Sequence, residues 1–227
     1  MDFFKFEDEG ADFPFYNDNP KLSLLGGFIL IFSIFLAFIP YYLNIPYIGP
    51  FLFALIMLVP LLYFLNWDFN ALFRKPSLKD IGLAILMVFV YVFYSTLMGY
   101  IFQFMGLDGF SESYSAINLF NEFVTLLFSM MGEELIKIIL LLIFLTLLFK
   151  FSKNRKLSII FSMFFTLVIF GLLHVFSSSV IVAVVIQGFG SVFHLLLYIK
   201  TKNVFVSYIS HFLTDFSITF LAYLNFF

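Results

Sequence analysis

Long apolar runs alternate with short polar segments along almost the whole chain. Seven of the runs can cross the hydrocarbon core of a bilayer, a distance that takes about 20 helical residues. They lie at about 22–43, 49–66, 81–104, 123–149, 158–176, 180–199 and 204–226. The pattern therefore predicts an all-α, polytopic membrane protein with about seven transmembrane helices.

Composition supports this class and narrows the chemistry. Of the 227 residues, 63% are hydrophobic and 11% charged, and the mean hydropathy is +1.07, values far from those of soluble domains. Cysteine is absent, which excludes disulfides, thiolate metal sites and a cysteine nucleophile. We expect the lipid bilayer as the surroundings and no nucleic acid as a partner.

The distribution of loop cations predicts an orientation. Lysine and arginine occur in the N-terminal segment and after the second, fourth and sixth spans (Lys5, Lys21; Arg74, Lys75, Lys79; Lys150, Lys153, Arg155, Lys156; Lys200, Lys202). These segments share one side of a seven-span protein, and cytoplasmic loops are the ones enriched in these residues. We therefore expect an integral, multi-pass protein with its N-terminus in the cytoplasm and its C-terminus outside.

Two regions differ in composition. Residues 1–21 form an acidic cytoplasmic N-terminal tail, and residues 22–227 form a single polytopic membrane domain. The polarity of the tail favours a largely disordered segment, or one lying against the lipid headgroups, over an arm that docks a partner.

Ionisable residues within the apolar runs need an explanation. A charge at bilayer depth costs about 2.5–3.5 kcal/mol on insertion scales, so such residues normally face a protein interior or a water-filled cavity. The sequence places seven of them within the spans: Glu133, Glu134, Lys137, His174, His194, His211 and Asp215. His194 fits no motif, and we interpret it as a hydrogen-bonded histidine between helices.

The stretch SMMGEELIKI contains three of these charges at helical spacing. Lys137 lies four residues after Glu133 and three after Glu134, so it can neutralise one carboxylate while the other points elsewhere. Gly132 here, and Gly171 further on, leave room for close approach of helices. Two further pairs, Phe170 with His174 and His211 with Asp215, are each four residues apart and so share a helix face.

Taken together, EEL followed by a cation, then FGLLH, then HFLTD, on three membrane spans, resembles the CAAX-protease and bacteriocin-processing (CPBP, or Abi) family. These are glutamic intramembrane endopeptidases that include the type II CAAX prenyl proteases. The resemblance covers about residues 75–227, with the motif-bearing core at about 120–227, and the stretch YIKTKNVFVSYISHFLTD is also similar to the family.

The resemblance implies a role for each residue of the motifs. Glu133 would activate water, His174 would share or orient that water, and His211 with Asp215 would bind the developing oxyanion. Supporting residues would be Glu134, Lys137 and Phe170. No cofactor is favoured, and the substrate would be a membrane-proximal peptide or a prenylated or leader-bearing protein. A carboxylate in a low-dielectric cavity can serve as a general base near neutral pH.

Two positions depart from the family pattern. Ile138 stands where the family usually has arginine, with the cation one residue earlier at Lys137, and Asp215 stands where asparagine is common. An ionised aspartate cannot donate a hydrogen bond to an oxyanion. Asp215 is therefore protonated, or it orients His211 and leaves the donor role to that histidine, or the protein is catalytically weak.

The predicted depths of the motif residues along their helices do not agree with a single shared site. At 1.5 Å per residue from the cytoplasmic ends, Glu133 and His174 lie about 25 Å up and His211 only about 10 Å up. A fourth segment broken at Gly132, a deep start to the last span, or a cavity open to the cytoplasm would reconcile them. We expect the last four spans to form the catalytic core, the first three to pack beside it, and access from the cytoplasmic side.

Three alternatives stay open. Zinc could be bound by Glu133, Glu134, His174 and His211, although no HExxH motif is present. The protein could be a non-catalytic scaffold or a bacteriocin-immunity protein of the same fold. A proton-coupled transporter would also place carboxylates and histidines within the membrane, but no inverted repeat is visible.

Overall fold

The computed structural model describes residues 3–43, 45–107, 118–176 and 178–224. Within these ranges the chain forms seven helical segments: α1 (Leu24–Tyr42), α2 (Ile48–Phe64), α3 (Leu78–Phe104), α4 (Leu119–Ser152), α5 (Arg155–Leu172), α6 (Val180–Thr201) and α7 (Val204–Tyr223). Six are long and apolar enough to cross a membrane, and α2 is a shorter apolar helix. The prediction of an all-α polytopic membrane protein is confirmed.

Local sequence explains where most helices begin. Ser23, Ser77, Asn118, Asn154 and Asn203 each precede a helix and accept a hydrogen bond from a backbone N–H in its first turn. Such capping satisfies donors that have no partner within the helix. The polar residues at the ends of the apolar runs therefore fix the helix boundaries.

Helix α4 is continuous, and helix α6 is irregular in its first half. A break at Gly132 is one of the three arrangements that would reconcile the depths of the site residues, but α4 runs unbroken through 34 residues. The irregular helix is α6, in which a π-helical turn, Ala183–Gly188, and a 3-10 turn, Phe189–Ser191, precede a regular portion, Val192–Thr201. Glycines at positions 171 and 188 explain the close contact here, because a Cβ on Gly171 would lie 2.7 Å from the Cα of Val184.

Helix α4 is the central element. It packs against α2, α5 and α7, while α3 covers the other side of α6 and α7. Its middle, from Glu134 to Ile143, is buried throughout. Polar residues on this stretch are therefore removed from lipid by neighbouring helices, as the cost of a membrane charge requires.

The N-terminal tail is folded in residues 3–21, so the expectation of disorder is wrong. Phe13, Phe15 and Tyr16 are buried in the main hydrophobic core, and the ring of Tyr16 lies 4.4 Å from that of Phe149. Aromatic residues supply the apolar area that an acidic segment otherwise lacks. The tail packs against the ends of the helices.

Cations from two loops contact the tail, and a cation from a third loop contacts the turn before α7, so these segments lie at one end of the bundle. Arg155 contacts Glu7 and Asp12, Lys200 contacts Asp8, and Lys202 contacts Glu7. Arg74 donates to the carbonyl oxygens of Thr201 and Lys202 in the turn before α7. Which side of the membrane this end faces stays a prediction.

The last helix begins in the interior of the protein. Lys202, Asn203 and Val204 are 1%, 4% and 0% exposed, beneath the tail. Estimating depth by counting residues from the helix ends assumes that these ends lie at one level, whereas the start of α7 is covered by the tail. A deep start to the last span is therefore compatible with the contact between His211 and Glu133.

Candidate functional site

A fully buried ion pair lies at the centre of the bundle. Lys137 forms a salt bridge with Glu134 one turn earlier on α4, and both side chains are 0% exposed. Ser207 of α7 donates a hydrogen bond to the second oxygen of Glu134 and is also 2.9 Å from the backbone carbonyl oxygen of His194. Glu134 is therefore neutralised and hydrogen-bonded, as a buried carboxylate must be.

His211 joins this pair to the adjacent glutamate. Its Nδ1 lies 2.8 Å from Oε1 of Glu134, within hydrogen-bond distance, and 3.4 Å from Nζ of Lys137. Its Nε2 lies 3.7 Å from Oε2 of Glu133. The imidazole thus has one nitrogen fixed by a carboxylate and the other directed towards Glu133.

Glu133 and His174 face each other across a gap. The distance between Oε2 of Glu133 and Nε2 of His174 is 4.0 Å, and the side chains are 20% and 23% exposed. This separation is too long for a direct hydrogen bond. A water about 2.8 Å from both atoms fits the gap.

The FxxxH spacing explains the orientation of His174. This residue follows the end of α5, and its Nδ1 is 2.9 Å from the carbonyl oxygen of Phe170. The oxygen can only accept, so Nδ1 carries the proton and Nε2 of the neutral ring is an acceptor. The ring of Phe170 packs edge-on against His174, and Nζ of Lys137 lies 4.8 Å from its centroid.

Asp215 lies beside His211, as the HxxxD spacing predicts. Its Oδ2 is 3.7 Å from Nε2 of His211, and its side chain is 31% exposed. The Nε2 atom of His211 therefore faces carboxylates on two sides. This geometry favours the interpretation in which Asp215 acts on His211 and the histidine is the donor.

His194 forms a second layer behind His211. The two rings stack with centroids 4.8 Å apart, and Nδ1 of His194 is 3.1 Å from Oγ of Ser210 on α7. On its other side His194 contacts Tyr91 of α3, with ring centroids 5.3 Å apart. The interpretation as a hydrogen-bonded histidine between helices is confirmed.

A cavity of about 150 Å³ adjoins Glu133 and His174. Beyond those two residues, its walls are mainly apolar and aromatic (Phe38, Tyr41, Tyr42, Phe53, Ile136, Phe170, Leu173). Helices α1 and α2 therefore contribute to the site, which sequence reasoning missed because their aromatic residues carry no distinguishing spacing. Tyr41 and Tyr42 end α1, at the end of this helix farthest from the tail. The side from which a substrate enters the cavity stays a prediction.

The predicted site residues thus converge, with one division among them. His174, Glu133, His211 and Asp215 form a chain of neighbours, of which Glu133 and His174 line the cavity. Glu134 and Lys137 are fully buried beside them. Sequence reasoning also missed Ser207 and Ser210, which hold Glu134 and His194. Their spacing before His211 on α7 was the only available signal.

The same residues can be tested against a zinc site. Glu134 is already bound by Lys137, Ser207 and His211, which removes it from the four expected ligands. In the described part of the chain, no group of three or more His, Asp and Glu side chains has the arrangement of a metal site. The preference for a glutamic over a metal-dependent site stays a prediction.

The comparison with known families agrees with this geometry. Residues 115–217 match the family model described as type II CAAX prenyl endopeptidase Rce1-like. The match lies in the C-terminal half of the 227-residue chain. No curated protein and no solved structure matches the chain.

The match to the CAAX endopeptidase family confirms the resemblance that the motifs indicate. It includes every predicted site residue from Glu133 to Asp215. The N-terminal tail and helices α1 to α3 lie outside it. The match to a family of endopeptidases, together with the multi-pass helical fold, supports an intramembrane protease in contact with the bilayer and acting on a membrane-proximal peptide.

Proposed function

We propose that the protein is a glutamic intramembrane endopeptidase in which Glu133 and His174 activate water. The observation that carries this proposal is the convergence of three helical segments on one carboxylate. Oε2 of Glu133 lies 4.0 Å from Nε2 of His174 and 3.7 Å from Nε2 of His211, beside a cavity.

Two acceptors suit a water that must act as a nucleophile. The Glu133 carboxylate accepts one proton of the water, and Nε2 of neutral His174 accepts the other. A lone pair of the oxygen then points away from both residues, towards a substrate carbonyl in the cavity. Positioning of this kind supplies a large part of the rate enhancement in hydrolysis.

His211 is the donor to the oxyanion. With Nδ1 donating to Glu134, a second proton on Nε2 gives an imidazolium, which Glu133 and Asp215 on either side stabilise electrostatically. The Nε2–H then donates to the carbonyl oxygen as it gains negative charge. Donors of this type typically contribute about 2.7–4 kcal/mol to transition-state stabilisation.

The proposed hydrolysis needs only water and the side chains of the site. The water oxygen forms a bond to the carbonyl carbon, and Glu133 takes the water proton. The tetrahedral intermediate then collapses, the C–N bond breaks, and the proton passes from Glu133 to the departing amine. The products are a free carboxylate and a free amine, as in other general-base hydrolyses.

The substrate proposed is a peptide segment at the membrane, in a prenylated or leader-bearing protein. The cavity adjoins Glu133 within a helical bundle, so the scissile bond must enter the bundle in an extended form. Helical peptide bonds are already hydrogen-bonded and are poorly exposed to attack.

The test is cleavage of membrane-tethered reporter peptides, some prenylated, by purified protein in nanodiscs. Wild type is compared with Glu133→Gln, His174→Ala and His211→Ala, each with and without a chelator. Glu122→Gln, the same substitution at the start of α4, is the matched control. Equal thermal unfolding of all variants establishes that they fold.

We expect each of the three site variants to lose at least about 100-fold in rate, and the chelator to have no effect. Activity lost to the chelator would contradict the glutamic mechanism in favour of a metalloprotease. Unchanged cleavage in Glu133→Gln would contradict the role of this residue. Absence of cleavage by well-folded wild type on all reporters would favour the non-catalytic or transport alternatives.

A further inference from the structure

Glu7, in the N-terminal tail, lies between two buried cations. Its Oε1 accepts a hydrogen bond from Nε of Arg155 at 3.0 Å, and its Oε2 lies 2.7 Å from Nη2 of Arg155 and 2.6 Å from Nζ of Lys202. Arg155 is the first residue of α5, and Lys202 precedes α7 by two residues. One carboxylate thus joins the helix that leads to His174 to the helix that carries His211.

Aromatic rings enclose this cluster. Lys202 Nζ lies 4.9 Å and the Arg155 guanidinium 5.3 Å from the centroid of the Phe13 ring. The side chain of Glu7 is 0% exposed and that of Lys202 is 1% exposed. Ion pairs removed from water depend strongly on complete partners and close geometry, unlike surface pairs. The contact of Glu7 with Arg155 and Lys202 therefore requires one fixed arrangement of these side chains.

The location of the cluster bears on the alignment of the site. From Ser152 to Glu133 along α4 is about 28 Å, and from Asn203 to His211 along α7 is about 12 Å, at 1.5 Å per residue. The two side chains nevertheless meet at 3.7 Å. For straight and parallel helices, this contact requires α7 to begin about 16 Å deeper than the end of α4. The tail contacts both places: Tyr16 packs against Phe149 of α4, and Glu7 pairs with Lys202 before α7.

We propose that the tail sets the depth of α7 and that Glu7 is the positioning residue that aligns His211 with Glu133. Asp8 supports the same turn, since its backbone N–H donates to the carbonyl oxygen of Lys200 and its carboxylate pairs with the Lys200 ammonium. The tail lies outside the segment that matches the family model. Only the catalytic consequence of this positioning rests on the proposed function.

The position of α7 can be measured without a substrate. The chain has no cysteine, so a pair of introduced cysteines carries spin labels at unique sites. Phe151→Cys marks the tail end of α4, and Leu221→Cys marks the far end of α7; both side chains are exposed. The distance between the labels, measured by electron–electron double resonance in nanodiscs, reports movement of α7 along α4.

Glu7→Gln keeps the shape of the side chain and removes its charge. We expect α7 to move towards the tail end, shortening the label distance by at least about 1.5 Å, the rise of one helical residue, and broadening its distribution. Glu9→Gln, which removes the same charge from an exposed position in the tail, leaves the distance unchanged. Lys202→Met keeps the contact between Glu7 and Arg155, and it should move α7 in the same direction.

The results distinguish a role of Glu7 in positioning α7 from a role in stability alone. In folded protein with reporter activity, Glu7→Gln lowers kcat by about 100-fold and leaves KM unchanged. An unchanged label distance in Glu7→Gln and Lys202→Met would overturn the proposal, and so would a shift in Glu7→Gln alone. If Glu7→Gln does not fold, Lys202→Met decides. If no reporter is cleaved, the proposed protease function fails, but the label distances still test whether Glu7 positions α7.

Discussion

Two consecutive glutamates have different environments at the residue scale. Glu134 is fully buried and bound by Lys137, His211 and Ser207. Glu133 points to the cavity, 20% exposed, with two histidines within 4.0 Å. Adjacent residues on a helix diverge by about 100°, so the sequence predicts that the two must differ. The spacing alone does not say which carboxylate Lys137 neutralises.

Lys137→Met tests whether the buried pair of Glu134 and Lys137 stabilises the fold. It leaves Glu134 as a buried charge without its ammonium partner, so we expect the free energy of unfolding to fall by about 3–5 kcal/mol. The measurement is chemical denaturation in detergent micelles. Lys150→Met, at the exposed end of the same helix, should change stability by less than about 0.5 kcal/mol. Equal effects of the two substitutions would show that the buried pair has no special contribution.

Asp215 offers a test of the donor assignment. If Asp215 acts by stabilising a charged His211, Asp215→Ala lowers the cleavage rate by about 10-fold or more. Asp215→Asn introduces an amide N–H that can itself donate to the oxyanion, so this variant should retain more activity than Asp215→Ala. The two rates on one reporter peptide are compared. A lower rate for asparagine than for alanine would contradict the assignment.

At the level of helices, the apolar runs were sufficient to predict seven helices close to their observed bounds. Irregularity within helices was not predictable in the same way. Gly132 accommodates the ring of Phe53 from α2, which would lie 2.2 Å from an added Cβ, and does not interrupt α4. Because glycine permits both a break and a close contact, only the packing distinguishes them.

The contact between α5 and the π-helical turn of α6 differs from this one because it is made by backbone atoms. An added Cβ on Gly188 would lie 2.6 Å from the carbonyl oxygen of Leu167, a backbone atom that cannot rotate away. Gly188→Ala should therefore lower the free energy of unfolding by about 1–3 kcal/mol. Gly99→Ala in α3, where nothing lies within 4 Å, should be neutral or stabilising by up to about 1 kcal/mol. Denaturation of both variants is the measurement, and no difference between them would contradict this account of the packing.

At the scale of the whole molecule, the tail and the cavity show the limits of prediction from sequence. An acidic segment with few aliphatic residues indicates disorder, but the rings of Phe13, Phe15 and Tyr16 are buried. The chain has 38 phenylalanines, so aromatic residues at the tail or the cavity wall do not stand out. Charged residues in membrane spans are rare, and that rarity is why the motif residues could be found.

Stability should depend on pH through the tail. Burial alone would raise the pKa of Glu7, but the ion pairs with Arg155 and Lys202 outweigh it and hold the pKa below its ordinary value of 4.5. A depressed pKa in the folded state gives stabilisation that is complete above the unfolded value and is lost as pH falls through the folded one. Arg155 is shared with Asp12, and Lys202 is the cation contributed by the turn before α7.

We therefore expect the unfolding midpoint to fall below about pH 4.5, and to fall less steeply in Glu7→Gln than in wild type. Thermal unfolding across this pH range measures both slopes. Glu9→Gln serves as the control and should retain the slope of wild type. Identical slopes for Glu7→Gln and wild type would contradict the ion-pair account of tail docking.

The most direct test of the central claim is the rate of peptide-bond cleavage by Glu133→Gln against Glu122→Gln, at matched protein concentration in nanodiscs. Both substitutions remove one carboxylate charge from α4, but only Glu133 faces His174 and His211. We expect the cleavage rate to fall by at least about 100-fold in Glu133→Gln and to stay unchanged in Glu122→Gln, with both variants folded. Cleavage by Glu133→Gln at the wild-type rate would contradict it.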